Sequence, residues 1–180
     1  MDIDIIIPIY NAFDFVKKCI ETVIEHTDLT QHTLLLVNDK STDERILPLL
    51  NSFIKENQSL NIILIDNKDN QGFVRTVNIG MQYSHHDVVL LNTDTEVTRN
   101  WLSKIQNCAY SKPAVATVTP LSNNATLASV PIFLAENTIP PGLSVEEYAD
   151  IVEKCSMNLF PDIPTAHGFC MYIKREAIDD

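Results

Sequence analysis

Glycine is scarce in this chain, with only 4 among 180 residues (Gly72, Gly80, Gly142 and Gly168). No GxGxxG follows the first apolar segment and no GxxxxGK[ST] occurs anywhere, which argues against a dinucleotide-binding oxidoreductase and a P-loop nucleotidase. Basic charge is also short. The 13 Lys plus Arg stand against 24 Asp plus Glu, a formal net charge of -11, and they form no basic stripe, so general nucleic-acid binding is not expected. A phosphate-bearing ligand would have to be held by local donors or by a divalent cation that reverses the local sign. The 4 cysteines (Cys19, Cys108, Cys155, Cys170) are widely spaced, with no CxxC pair and no histidine at zinc-finger spacing, and read as reduced packing residues. No run reaches the roughly 18 apolar residues that span a bilayer. Met1 leads into a strand-like segment and not a signal peptide, so the expectation is a cytoplasmic protein.

What is present is a sizeable core: 45% of the residues are hydrophobic and 21% charged. Near-continuous Ile, Leu and Val runs at Ile3 to Ile9, Thr33 to Val37, Asn61 to Ile65 and Asp87 to Leu91 predict strands covered on both faces. Between them, apolar residues at helical spacing predict helices over Phe13 to Ile24, Ile46 to Ile54, Phe73 to Tyr83 and Trp101 to Tyr110. Asp43 is placed to cap the second helix, and Pro48 is tolerable only in its first turn. Val115 to Val118 reads as a fifth strand, Val145 to Cys155 as a short helix and Phe169 to Ile173 as a last strand. Pro120 to Gly142, rich in Pro, Asn, Ser and Thr, predicts a long irregular segment. The expected fold is one α/β domain over residues 1–180, doubly wound and Rossmann-like, with a mostly parallel sheet, helices on both faces and right-handed crossovers.

In such sheets the ligand crevice lies beyond the carboxyl ends of the strands. Those positions share a chemical theme of acids and amides with one aromatic ring: Pro8-Ile9-Tyr10-Asn11, then Asn38 through Asp43, then Asp66-Asn67 with Asn70-Gln71-Gly72, then Asn92 through Glu96. Asp39 at a strand end could accept a charge-assisted bond from a base N–H. Ser41, Thr42 and Asp43 read as helix-capping residues. Asp94 and Glu96 offer hard oxygen ligands for Mg²⁺ or Mn²⁺.

Taken in order, "DIIIPIYNAFDFVKKCIETV", "LLVNDKSTD", "NQGFVRTVNIG", "DVVLLNTDTEV" and "HGFCMYIKREAI" resemble the ordered blocks of family 2 glycosyltransferases of the nucleotide-sugar-dependent GT-A fold. The resemblance implies inverting transfer of a sugar from a UDP- or dTDP-sugar donor to a hydroxyl of a glycan or lipid-linked acceptor, with Mn²⁺ or Mg²⁺ as cofactor. It implies a nucleotide site built from Pro8, Tyr10, Asn11, Asp39, Gly72, Arg75, Asn78, Asn92 and Thr93. Within it, Tyr10 packs against the base, Asp39 takes the N3–H, and Arg75 and Asn78 lie near the base and the following helix. Asp94 is the implied metal ligand, with Glu96 as a second candidate, and His167 and Gly168 are candidates on the acceptor side.

The sequence departs from the family pattern where Asn92 and Asn38 replace aspartates, which shifts metal binding onto Asp94. The family's general base follows the "GFCMYIKREAI" strand, so it is expected beyond Asp180, and the chain reads as an amino-terminal part of a longer transferase. Missing sequence could also bring it to the inner face of a membrane, where polysaccharide is assembled. A non-catalytic nucleotide-sugar-binding module is the rival reading. A nucleotidyltransferase is weaker, since "PIYNAFD" lacks a Gly-rich basic loop. His85 and His86 read as a solvated helix end and Trp101 as core, whereas Ser122 to Thr126 reads equally as acceptor-side loop or as surface packing.

Overall fold

Branched aliphatic runs pack well on a pleated surface, and here they form the centre of a sheet buried on both sides. A computed structural model describes residues 1–179. The chain runs β1 (Ile3–Ile9), α1 (Phe13–His26), β2 (Thr33–Asn38), α2 (Ile46–Glu56), β3 (Ile62–Asp66), α3 (Phe73–Tyr83), β4 (Asp87–Leu91), α4 (Trp101–Ala109) and β5 (Thr117–Val118). After a 3₁₀ turn (Thr126–Ala128) come α5 (Val145–Cys155), β6 (Cys170–Ile173) and α6 (Arg175–Asp179). The predicted fifth strand shrinks to an edge pair, and β2 extends one residue further, through Asn38. Helix α6 carries no amphipathic repeat long enough to have been read.

The strand order is β3-β2-β1-β4-β6-β5, with β6 antiparallel to both of its neighbours and the remaining pairings parallel. Ile3, Ile5, Ile7 and Ile9 pack against α1, α2 and α4 on one face. On the other, Ile6, Leu35, Val37, Val88 and Leu90 meet Val77 of α3 and Ile178 of α6. The change of face between α2 and α3 is what constant crossover handedness requires when the winding reverses direction after β3. All four cysteines are free.

The reversal makes β1 a switch point, with β2 on one side and β4 on the other. Pairing with β2 continues to Ile9↔Asn38, whereas pairing with β4 stops at Ile6↔Leu90, so β1 and β4 part at their carboxyl ends. Pro8 lies past that parting, where a missing N–H leaves no ladder bond to β4 unmade. The opening between these strands is a crevice at the carboxyl edge of the sheet, where the loops after β1 to β4 emerge.

Close approach of α3 to the sheet depends on Gly80. A Cβ there would stand 2.6 Å from Ile6 Cγ2 in the middle of β1. Gly80→Ala is therefore expected to cost about 1–3 kcal/mol by forcing helix and sheet apart, read as a lower urea midpoint at unchanged slope. An unaltered midpoint would show that α3 can shift without loss.

The amino-terminal edge of the sheet is held by its own polar pairs. Buried Asp87 accepts the Tyr110 hydroxyl at 2.6 Å and the Arg175 amide at 2.8 Å, together with the Tyr172 hydroxyl. Donating to Asp87 pushes the Tyr110 phenol up to about 12. His86 is more than a solvated helix end: its Nδ1 lies 3.2 Å from Oδ2 of buried Asp4, which also accepts the Ser84 hydroxyl. Trp101 is core, as read, and its indole N–H donates to Thr27. Among the described residues no helix is long and apolar enough to cross a membrane.

The segment from Pro120 to Gly142 is irregular but ordered around buried Asn137. That side chain accepts the Ile132 amide and donates to the carbonyls of Asn123, Ile132 and Ala135, which replaces the ladder bonds a regular element would supply. The capping box of α5, Ser144 with Glu147, then restarts helix.

Candidate functional site

Strand β2 ends by placing Asp39 at the crevice, with its amide donating to Ile9 O at 2.8 Å. The residue is only 4% exposed, yet among the described residues it has no cationic partner. Its Oδ1 accepts from Asn67 Nδ2 at 2.9 Å and Gln71 N at 2.7 Å, and its Oδ2 accepts from Gly72 N at 2.8 Å. Burial alone would raise this carboxyl, but the donors from Gln71, Asn67, Thr76 and Gly72 outweigh it and hold the pKa below the ordinary value. Asp39 is therefore an anion that organises the β3–α3 loop. Gly72, at φ +77°, occupies a conformation that a side chain would strain, although nothing lies where its Cβ would go.

Tyr10 follows Ile9, whose carbonyl accepts the Asp39 amide, and its side chain is half exposed. Asn11 acts as a latch. Its amide donates to Ser41 Oγ at 2.9 Å, while its Oδ1 accepts the amides of Thr42 at 2.8 Å and Asp43 at 2.9 Å. Ser41 and Thr42 thus serve the β1–α1 loop, and Asp43, whose Oδ1 accepts Arg45 N at 3.0 Å, tightens the turn ahead of α2 and does not cap the helix, whose N-cap Arg45 has no side-chain cap bond. Bonds from the Arg45 side chain and amide draw the Asp43 carboxyl down to about 2. Asn11, Ala12 and Lys40 all lie at φ +58°, which with Gly72 gathers left-handed backbone on this one edge of the sheet. Such conformations cost of order 1–3 kcal/mol each for residues other than glycine, and they concentrate at working sites.

The Asn38 departure from the family pattern has a local cause. Its Nδ2 donates to Asp66 Oδ1 at 2.7 Å, across the register pair Asn38↔Asp66. An aspartate there would set two carboxylates against each other.

After β4 the chain makes a tight turn in which Thr95 N donates to Asn92 O at 3.2 Å. Asp94 is carried at its tip, exposed, with no side-chain bond or ion pair within the described residues. Glu96 faces Lys18 at 3.8 Å. Both carboxylates are felt by Cys19 beneath the turn, whose thiol is pushed up to about 12 by burial and then by Asp94 and Glu96. Among the described residues no group of three His, Cys, Asp or Glu could hold a cation by itself. A solvent-facing carboxylate of this kind fits an Mg²⁺ or Mn²⁺ ion shared with ligand phosphates, and does not fit a resident structural metal.

The segment before β6 closes on the same turn. Phe169 O accepts Asn92 N at 2.8 Å and the Thr95 hydroxyl at 3.3 Å, bringing His167 and Gly168 to the Asn92–Thr95 side of the crevice. The His167 ring is within hydrogen-bonding distance of the Thr126 hydroxyl, with Nδ1 at 3.2 Å, and its amide donates to Thr119 Oγ1. Arg75 is exposed in the first turn of α3. Asn78 lies apart from the group, lining a cleft of about 540 Å³ with Met81, Gln82 and the Arg175 and Asp179 of α6. Asp179 also lies near that amino-terminal edge, since β6 runs from Cys170 opposite Leu91 to Ile173 opposite Val88 before α6 begins. Asp180 lies outside the described residues.

A family model for glycosyl transferase family 2 matches residues 4–180. The chain belongs to that family. Among curated relatives, polypeptide N-acetylgalactosaminyltransferase 11 of Xenopus tropicalis is 30% identical over 104 residues, covering 56% of this chain and 17% of that protein. In fold the chain is similar to a mannosyltransferase from Pyrobaculum calidifontis in complex with GDP-Man and Mn²⁺. That match has a TM-score of 0.59 at 17% identity and covers 67% of this chain and 35% of the other. It is also similar to GalNAc-T7 with UDP, GalNAc and Mn²⁺, at TM-score 0.53 and 20% identity, covering 58% and 20%. This family 2 chain thus spans a minor part of the length of each.

Sequence reading missed two parts of the site. Nothing in the sequence marks Asn67 as a donor to Asp39, and Asn11, expected in the nucleotide site, has its side chain committed to Thr42 and Asp43. The available signal was the density of amides in these loops, since Asn can satisfy backbone groups where no ladder does.

Proposed function

We propose that this glycosyltransferase chain binds the donor in an inverting transfer from a UDP- or dTDP-sugar to a hydroxyl of a glycan or lipid-linked acceptor. The observation that carries the reading is the crevice between β1 and β4, which sets a preorganised Asp39 anion and an exposed Tyr10 ring on one side and an unpartnered Asp94 on the other. Tyr10 stacks on the base, Asp39 accepts its ring N–H, and Asn92 and Thr93 meet the ribose and diphosphate. Asp94, with Glu96 as a weaker second, would hold Mn²⁺ or Mg²⁺. The ion would supply positive charge to offset the negative charge building on the leaving diphosphate. His167 and Gly168 border the acceptor, whose hydroxyl attacks the anomeric carbon from the face opposite the diphosphate while a carboxylate takes its proton. No described residue is assigned as that base. Work in cell-surface polysaccharide or glycoconjugate synthesis, in the cytoplasm or at the inner membrane face, follows from such acceptors.

Asn92 favours a second reading, an inert donor-binding module, because it removes one anionic ligand from beside Asp94. Release of UDP or dTDP from a panel of their sugars, followed with Mn²⁺ and with and without hydroxyl acceptors, separates the two. Acceptor-stimulated release supports the transferase. Tight binding of sugar nucleotides with no release under any condition supports the module.

A further inference from the structure

Among the described residues Asp4, Asp39 and Asp87 are the buried aspartates. Asp39 and Asp87 each accept hydrogen bonds on both carboxylate oxygens. Asp4, 5% exposed and paired with Thr33 and Val88 at the amino-terminal edge of the sheet, does not. The Ser84 hydroxyl at 2.6 Å and His86 Nδ1 at 3.2 Å both reach its Oδ2, and no described residue bonds its Oδ1. Since no fully buried side-chain oxygen among the described residues lacks a partner, Oδ1 is open to solvent. The opening that Asp4 lines is a cleft of about 180 Å³ beside the carboxyl end of α3, shared with Leu35, Ile63, Tyr83, His85 and His86.

These surroundings favour one kind of ligand. Among the described residues no Lys or Arg pairs with Asp4, and its ion-pair candidate is the half-exposed His86. The carboxyl end of α3 adds the negative end of a helix dipole. An anion is repelled here, and a neutral apolar molecule would cover Oδ1 without bonding it. No described group of three His, Cys, Asp or Glu gathers to hold a metal ion. A primary alkylammonium fits, with one N–H on Oδ1, the others in water and its stem along Leu35, Ile63 and Tyr83. An alkylguanidinium fits less well, because its fork takes both oxygens of a carboxylate and Oδ2 is already occupied by Ser84 and His86. We propose that this cleft, at the opposite edge of the sheet from the donor crevice, is a second binding site that takes a primary alkylammonium on Asp4 Oδ1. A free amine and a lysine side chain of another protein offer that same chemistry.

The test follows the His85 and His86 ring resonances of the chain by NMR, at fixed pH and ionic strength. The titrants are n-butylammonium, n-butylguanidinium, n-butanol and tetramethylammonium, which carries charge without an N–H. Saturable shifts are expected with n-butylammonium, at an affinity about tenfold or more above that of n-butanol, and none with tetramethylammonium. Asp4→Asn, which keeps an acceptor for Ser84, should weaken n-butylammonium by about tenfold or more. Tyr83→Ala, at an exposed position, should weaken it by about two- to fivefold. A capped tripeptide centred on lysine separates the sources: binding as tight as n-butylammonium supports a protein partner, and weaker binding supports a free amine. The proposal is overturned by no saturable shift with n-butylammonium, by an equal response to tetramethylammonium or by tighter binding of n-butylguanidinium. Native affinity in a cooperatively folding Asp4→Asn also overturns it. If Asp4→Asn fails to fold, native affinity in Tyr83→Ala overturns it. None of these results bears on the donor site, which the UDP titrations test separately.

Discussion

Asp39→Asn is expected to lower stability by about 2–4 kcal/mol and to abolish measurable UDP binding. The substitution is nearly isosteric, so the effect isolates chemistry from packing. Asn67 Nδ2, Gln71 N and Gly72 N all donate to the native carboxylate, and whichever position an amide NH₂ takes, at least one of them then faces a donor. With the residue only 4% exposed, solvent recovers little of that bond. The pH dependence carries a definite sign. The folded pKa of Asp39 lies below the ordinary carboxylate value near 4, so its contribution is fully present above that value and is lost as pH falls through the folded pKa. The stability gap between native and variant should therefore be constant at neutral pH and narrow below about pH 4. Urea midpoints over that range measure it. A variant as stable as the native chain at pH 7 would remove Asp39 as the organiser of the β3–α3 loop.

Asp94→Ala should behave in the opposite way, leaving the urea midpoint unchanged and removing the Mn²⁺-dependent part of nucleotide diphosphate binding, a loss of about a hundredfold or more. Asp94 is exposed at the tip of the turn and its side chain holds nothing in place within the described residues. Among the described residues no cluster of three ligands surrounds it, and the second candidate, Glu96, faces Lys18. Glu96→Ala should cost less, because Glu96 faces Lys18 at 3.8 Å and is already partly neutralised. Titration with UDP in the presence of Mn²⁺ or of a chelator reads both variants. Unchanged Mn²⁺ dependence in Asp94→Ala would exclude that residue from the site.

Much of this architecture was legible because parallel strands must be apolar on both faces. Thr33-Leu-Leu-Leu-Val37 and Asp87-Val-Val-Leu-Leu91 have few other homes in a protein of this size. The antiparallel course of β6 was not legible, because strand direction is set by where the 120–169 segment delivers the chain and not by any residue within Cys170–Ile173. In the site, the acids were found by their position after strands, but their division of labour was not. Asp39 and Asp94 look alike in sequence, and only the fold makes one a buried hub and the other an exposed carboxylate. Asn78 falls at family spacing, yet the helix carries it away from the crevice toward α6.

The most direct measurement is calorimetric titration of this chain with UDP and with dTDP, each with and without Mn²⁺. A working donor site predicts Mn²⁺-dependent binding of at least one of them, lost in Asp94→Ala. Heat from neither nucleotide, with the chain shown to be folded, would contradict it and would mean that the crevice between β1 and β4 keeps the family's shape without its ligand.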